Sequence, residues 1–333
     1  PTMSSATTPD LSAGHSHGES RLAHLPVALF SIVMGMAGLA IAWMKAHHVA
    51  GLPALPGDIL RWTASSIYVF LLVLYTTKLV RHPAAVAAEH RHPVRLNFFP
   101  TISIGLILLS IAWATTAPEP ARWMWTLGAA LHLGFTLNVM SSWLHHTHYD
   151  IKHANPAWFI PVVGNILVPI AGVRFAPVDV SWFFFSIGLV FWLVLMTIVL
   201  YRLFFHEPLP ARLTPTLFIL IAPPAVGFLS YVTLNDQVDN FARILYFTAL
   251  FLTLLLLGNA PRFFRLPFFI SAWAYSFPLA AMTIASFEMS RQTEGPGYAI
   301  LGSILLITLS AIVGLLLIKT LIAARRGLIC IPE

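Results

Sequence analysis

Ten stretches of mostly apolar residues, each long enough to cross a bilayer as a helix, divide almost the whole chain. They lie at 25–45, 58–80, 98–117, 121–144, 157–174, 179–204, 211–232, 239–258, 264–288 and 297–320. A helix needs about 20 such residues to span the hydrocarbon. Short polar or proline-containing stretches separate them, such as GLPALPG at 51–57 and RQTEGPG at 291–297. The shortest, 157–174, also contains Asn165. A soluble reading fails on surface chemistry, because only 10% of the residues are charged and 58% are apolar. An ordinary globular domain carries about 25% charged residues. Lipid must therefore be the solvent over most of the surface.

The basic residues lie between the spans, with no stripe or aromatic-basic module for nucleic acid. They also orient the chain. Loops on the side of the N-terminus, with the tail, hold thirteen of the 19 Lys and Arg, and the opposite side holds Lys45, Arg61, Arg122, Arg174, Arg243 and Arg291. By the positive-inside rule both termini are predicted cytoplasmic. Residues 1–24 are rich in Ser, Thr, Ala, Gly and His and read as a disordered cytoplasmic tail, without a signal-peptide pattern. Residues 25–320 form the membrane domain and 321–333 a C-terminal tail. The single cysteine, Cys330, excludes a disulfide framework and a CxxC site.

Proline placement divides the ten spans by parity. Every odd-numbered span opens with one: Pro26, Pro100, Pro161, Pro215 and Pro267. Pro169, the pair Pro223 and Pro224, and Pro278 lie deeper. Gly35, Gly38 and Gly105 occupy the first and third spans, while the interiors of the even spans contain no proline. A proline removes a backbone hydrogen bond, and a bilayer tolerates the freed carbonyl only where protein or water satisfies it. Odd helices are therefore predicted to form an inner ring lining a central path, and even helices to face lipid. The fold class is all-α integral membrane, five helical hairpins in a quasi-five-fold ring.

Four segments carry a resemblance: LPVALFSIVMGMAGLAIAW, HPVRLNFFPTISIGLILLSIAW, NPAWFIPVVGNILVPIAG and WAYSFPLAAM. Together they resemble the tellurite-resistance/C4-dicarboxylate transporter family, which includes bacterial TehA, plant slow anion channels and yeast dicarboxylate and sulfite carriers. The resemblance covers about residues 25 to 320. It implies ten helices in five hairpins, a pore through each protomer and a homotrimer in the inner (plasma) membrane. It also implies a phenylalanine blocking the pore from the ninth helix, at the position matching Phe277 in AYSFP. The chain departs from many relatives in carrying Ala272 before Trp273.

No Asp, Glu, Lys or Arg lies near the centre of any predicted span, which favours conduction over tight coupling to protons. His132, the titratable residue clearly inside a span, reads as structural. An anion would then be held by helix ends, amides freed at kinks and the hydroxyls of Thr101, Ser103, Ser271 and Ser276. Arg91, Arg95, Arg262 and Arg265 could concentrate anions at the cytoplasmic rim, or serve orientation alone. The loop with His145, His146, His148, Asp150 and His153 has ligand-like chemistry, but one such cluster does not make a di-metal oxygenase; it reads as solvated. No cofactor and no catalytic residue are expected. The leading expectation is a non-enzymatic anion channel for small anions. The alternative is a secondary transporter or efflux protein for C4-dicarboxylates, tellurite-related oxyanions, sulfite or lipophilic cations.

Overall fold

The computed structural model describes residues 21–145 and 149–331, which are helical, without strands, among the described residues. The predicted tail therefore falls almost wholly outside them, as do His146 and His148. In chain order, α1 (Ser31–Ala50) continues from a 3-10 turn at Val27–Phe30, and α2 (Leu55–Arg81) returns beside it. A short α3 (Pro83–Arg91) and a 3-10 turn (Arg95–Phe98) lead to α4 (Thr101–Trp113), and α5 (Pro118–His145) follows. Next come α6 (Phe159–Val163) and α7 (Val168–Phe175), joined by a 3-10 turn at Gly164–Leu167, and then α8 (Val178–Phe205). A 3-10 segment (Thr214–Ile221) opens α9 (Ala222–Asn235), followed by α10 (Asn240–Gly258) and the short α11 (Ala260–Phe264). A last 3-10 segment (Ile270–Tyr275) opens α12 (Ser276–Thr293), and α13 (Pro296–Arg325) ends the order.

The prolines explain where the 3-10 turns fall. Pro26 offers its carbonyl to the Leu29 amide at 3.2 Å, the short-range pattern that a residue without an N–H can start but not continue backwards. The odd spans are thus broken inside the protein, while α2, α8, α10 and α13 run as uninterrupted helices. Packing places the broken segments at the centre: α1 meets α4, α4 meets α7, α7 meets α9, α9 meets α12, and α12 returns to α1. The straight helices sit outside, in the grooves between successive inner helices: α2 on α1 and α4, α5 on α4 and α7, α8 on α7 and α9, α10 on α9 and α12, α13 on α12 and α1.

Burial follows the same division. Inner spans are 61–89% buried over their most apolar windows, against 28–39% for the outer ones, so the outer helices must face something other than water. Phe70, Phe183, Phe204, Phe251 and Ile307 cover that exposed surface, as expected of a lipid-facing wall. Nine helical segments among the described residues are long and apolar enough to cross a membrane. The tenth predicted span, α5, falls outside that set on hydropathy, not length. Its 28 residues reach about 42 Å at 1.5 Å per residue. The chain is a multi-span, all-α membrane protein.

Candidate functional site

Two cavities follow one another along the axis of the inner ring. The first, about 70 Å³, is enclosed by Met34, Phe98, Ile104, Phe159, Ile160, Ile219 and Trp273, among others, and is almost wholly apolar. The second is a vestibule of about 610 Å³, and its wall carries Lys45, Arg174, Asp236, Glu288 and Arg291. Phe277, Leu167 and Val226 line both. Phe277, 8% exposed, thus stands in the partition between an apolar pocket and a wide charged one. Pro278 follows it and, lacking an N–H, cannot bond the Ala274 carbonyl; both residues line the apolar pocket.

The other predicted pore residues separate into two groups. Pro223, Thr101 and Ser271 join Pro278 on the apolar pocket, and Gly38 lines the vestibule. Pro26, Pro100, Pro161, Pro169, Pro215, Pro224, Pro267, Ser103 and Ser276 line neither, because they act on backbone geometry or face neighbouring helices. Gly35 is a packing contact, where an added Cβ would strike Ser276 and Trp273. Arg91, Arg95, Arg262 and Arg265 also line neither cavity.

The four hydroxyls singled out as anion donors are already committed to carbonyls. Thr101 donates to Phe98 at 2.5 Å and Ser103 to Pro100 at 2.8 Å. Ser271 donates to Arg212 at 2.5 Å and Ser276 to Trp273 at 2.6 Å. A hydroxyl has one proton, so none of the four is free to donate to an anion in this conformation. The pocket before Phe277 is consequently a constriction of carbon, the kind of surface that excludes water.

His132 is fully buried, its Nδ1 2.9 Å from the Ser103 hydroxyl of α4. Since that hydroxyl proton goes to Pro100, the imidazole must donate from Nδ1, leaving Nε2 as a bare acceptor with no partner among the described residues, beside Gly164. In the histidine loop, His153 Nδ1 accepts from the Asp150 amide at 3.0 Å, and Lys152 pairs with Asp150 at 3.0 Å. His145 bonds the Ser141 carbonyl of its own helix. No group of three metal-ligating side chains forms among the described residues.

Sequence reading missed the charged groups that the tertiary structure gathers. Glu288 is held by Lys45, by Arg291 at 2.6 Å and by Gln292 at 3.1 Å, so two cations share one carboxylate in the vestibule wall. At the opposite end, Glu89 of α3 is buried against Lys78 at 2.6 Å, the Tyr75 hydroxyl at 2.9 Å and the Val27 amide at 2.7 Å. Charge sorting along the chain placed Lys45, Arg174 and Arg291 on one face of the membrane. Their convergence on the ring axis depends on the rotation of each helix, which loop charges do not encode.

A ring of broken helices packed inside straight, outward-exposed apolar ones defines a multi-span, all-α membrane protein. The family model described as voltage-dependent anion channel (SLAC1) matches residues 24–321, and the chain belongs to that family. It is 28% identical over 306 residues to the S-type anion channel SLAH2 of Arabidopsis thaliana, covering 88% of this chain and 59% of that protein. The tellurite resistance protein TehA homolog of Haemophilus influenzae is 25% identical over 308 residues, 91% of this chain and 92% of its own length. An uncharacterized transporter of Methanocaldococcus jannaschii, MJ0762, is 26% identical, over 78% of this chain and 83% of that protein. The chain spans only 59% of SLAH2 and 49% of the related plant channel SLAH3.

Proposed function

We propose that the chain is an anion channel, in which small anions move along the ring axis of each protomer past Phe277. The observation that carries this reading is the position of that ring, in the walls of both axial cavities at once. Passage requires the ring to turn aside, so the described conformation is closed. The lining between pocket and vestibule offers carbon and no ionisable group, which suits weak, quickly reversed contact with monovalent ions such as chloride or nitrate. In this reading α5 is the tenth crossing, the five helix pairs are five hairpins, both termini are cytoplasmic in the plasma membrane, and the protein assembles as a homotrimer.

The test is planar-bilayer recording of purified wild type and Phe277→Ala with chloride, nitrate and malate. Removing the ring should raise chloride conductance at least about tenfold, since the barrier is steric and dewetted. An unchanged current from correctly folded Phe277→Ala would sink the gate assignment. The names of the bacterial and archaeal relatives, a tellurite resistance protein and an uncharacterized transporter, support a second reading, a carrier for oxyanions. Flux that saturates, exchanges across the bilayer and follows an imposed proton gradient would favour it.

A further inference from the structure

The vestibule wall holds five formally charged side chains, and four of them answer one another. Glu288 binds Lys45 and Arg291, and Asp236 bears electrostatically on the same Arg291. Two cations against two carboxylates leave that group neutral. The fifth is Arg174, in the last turn of α7. It has no hydrogen bond or ion pair with any described residue, yet lines the vestibule and also an adjoining open pocket with Ala114, Thr115, Pro118 and Phe175. Its side chain is exposed.

We propose that Arg174 is the anion-docking group of the vestibule, drawing small anions to the mouth opposite the 3-10 turns. The proposal rests on the channel reading and moves the electropositive entrance from the predicted cytoplasmic rim to the other end of the axis. Three physical features support it. A guanidinium is charged at every working pH and presents five donors in a fixed fork, suited to chloride and to planar oxyanions such as nitrate. A concave, low-dielectric wall focuses the field of a single unbalanced charge along its axis. Because no carboxylate competes for the fork, an arriving anion displaces only water.

The experiment compares wild type, R174E, R174Q and R174K in planar bilayers, with chloride at about 20 mM and at 1 M. At low salt R174E should lower the current of chloride entering from the vestibule about three- to tenfold, R174Q by less, and R174K should stay near wild type. Because the loss falls on one direction of movement, R174E should rectify. At 1 M, where the Debye length is about 3 Å, the difference should shrink below about 1.5-fold. Equal currents for R174E and wild type at low salt would overturn the proposal while leaving the channel reading intact. So would an equal loss at both salts, which would mark Arg174 as structural. No anion current in any variant, nor in Phe277→Ala, would overturn both.

Discussion

The Glu89 carboxylate accepts the Val27 amide proton at 2.7 Å across 62 residues of sequence. Val27 opens the first 3-10 turn of the inner ring, so a carboxylate from a different helix supplies the acceptor that a helix start lacks. Lys78 completes the arrangement by bonding both Glu89 and the Leu25 carbonyl, at 2.6 and 2.8 Å. This buried pair ties α2 and α3 to the 3-10 turn that leads into α1, at the end where the apolar pocket begins.

Breaking that pair from one side should cost more than removing both partners. Lys78→Met or Glu89→Leu alone leaves an uncompensated buried charge, a loss of about 3–5 kcal/mol. The double variant should retain more stability than the sum of the two losses predicts, and thermal denaturation of the four proteins in detergent completes the cycle. Additive losses would show that the two residues act independently.

Gly38 lies where α1 presses on the proposed gate. An added Cβ there would stand 2.9 Å from the Ala280 Cβ and 3.4 Å from Phe277 Cδ2. Gly38→Ala should restrict the rotamers open to the ring and lower chloride flux about two- to tenfold by steric restriction. In a Phe277→Ala background the same substitution should change flux little, because the ring it crowds is gone while the contact with Ala280 remains. Liposome efflux with both pairs of proteins reads the coupling.

Gly164 has a different neighbour. Its added Cβ would fall 2.5 Å from His132 Cε1 and 2.6 Å from Nε2, and the imidazole is held by its bond to Ser103. Gly164→Ala should therefore destabilise the protein by about 1–3 kcal/mol, the usual cost of overpacking a filled interior. Combining it with His132→Ala should recover most of that loss in a thermal scan.

Asp239 gives the fold a dependence on pH at the entrance to α10. Its carboxylate accepts from the Ala242 amide at 2.9 Å and from the Tyr231 hydroxyl at 2.6 Å, and these bonds hold its pKa below the usual carboxylate range. A depressed folded-state value means the contribution is present above the ordinary aspartate pKa of about 4 and is lost as pH falls through the folded value. Asp239→Ala should lower the melting temperature at pH 7, and the gap to wild type should close as the pH is lowered below about 4. A gap independent of pH would exclude the charged cap as its cause.

Much of the fold was legible because a bilayer permits so few solutions. Pro26, Pro100, Pro161, Pro215 and Pro267 each forbid a continuous helix, and a freed carbonyl cannot face lipid. Parity in the proline pattern therefore became position in the ring. The helix α5 matches the predicted stretch 121–144 in position but falls short in hydropathy, since the polar residues on its inward side, His132 and Thr136, lower it without being exposed. The hydroxyls were misjudged because nothing along the chain reveals that Thr101, Ser103, Ser271 and Ser276 have given their protons to carbonyls. The four rim arginines were chosen from charge along the chain, which says nothing of distance from the axis.

The sequence by itself determined the solvent, nine of the ten spans among the described residues and the division into inner and outer helices, and the family resemblance pointed to the aromatic ring at 277. Each of these follows from local chemistry: a transfer free energy, a missing N–H, a run of side chains. Only the tertiary structure decided that Phe277 separates an apolar pocket from a charged vestibule, that Glu89 reaches Val27, and that Arg174 is the vestibule cation left without a carboxylate among the described residues. Those are statements about which helix faces meet. A side chain's direction depends on the rotation of its helix about its own axis, which is set by packing against neighbours far away in sequence.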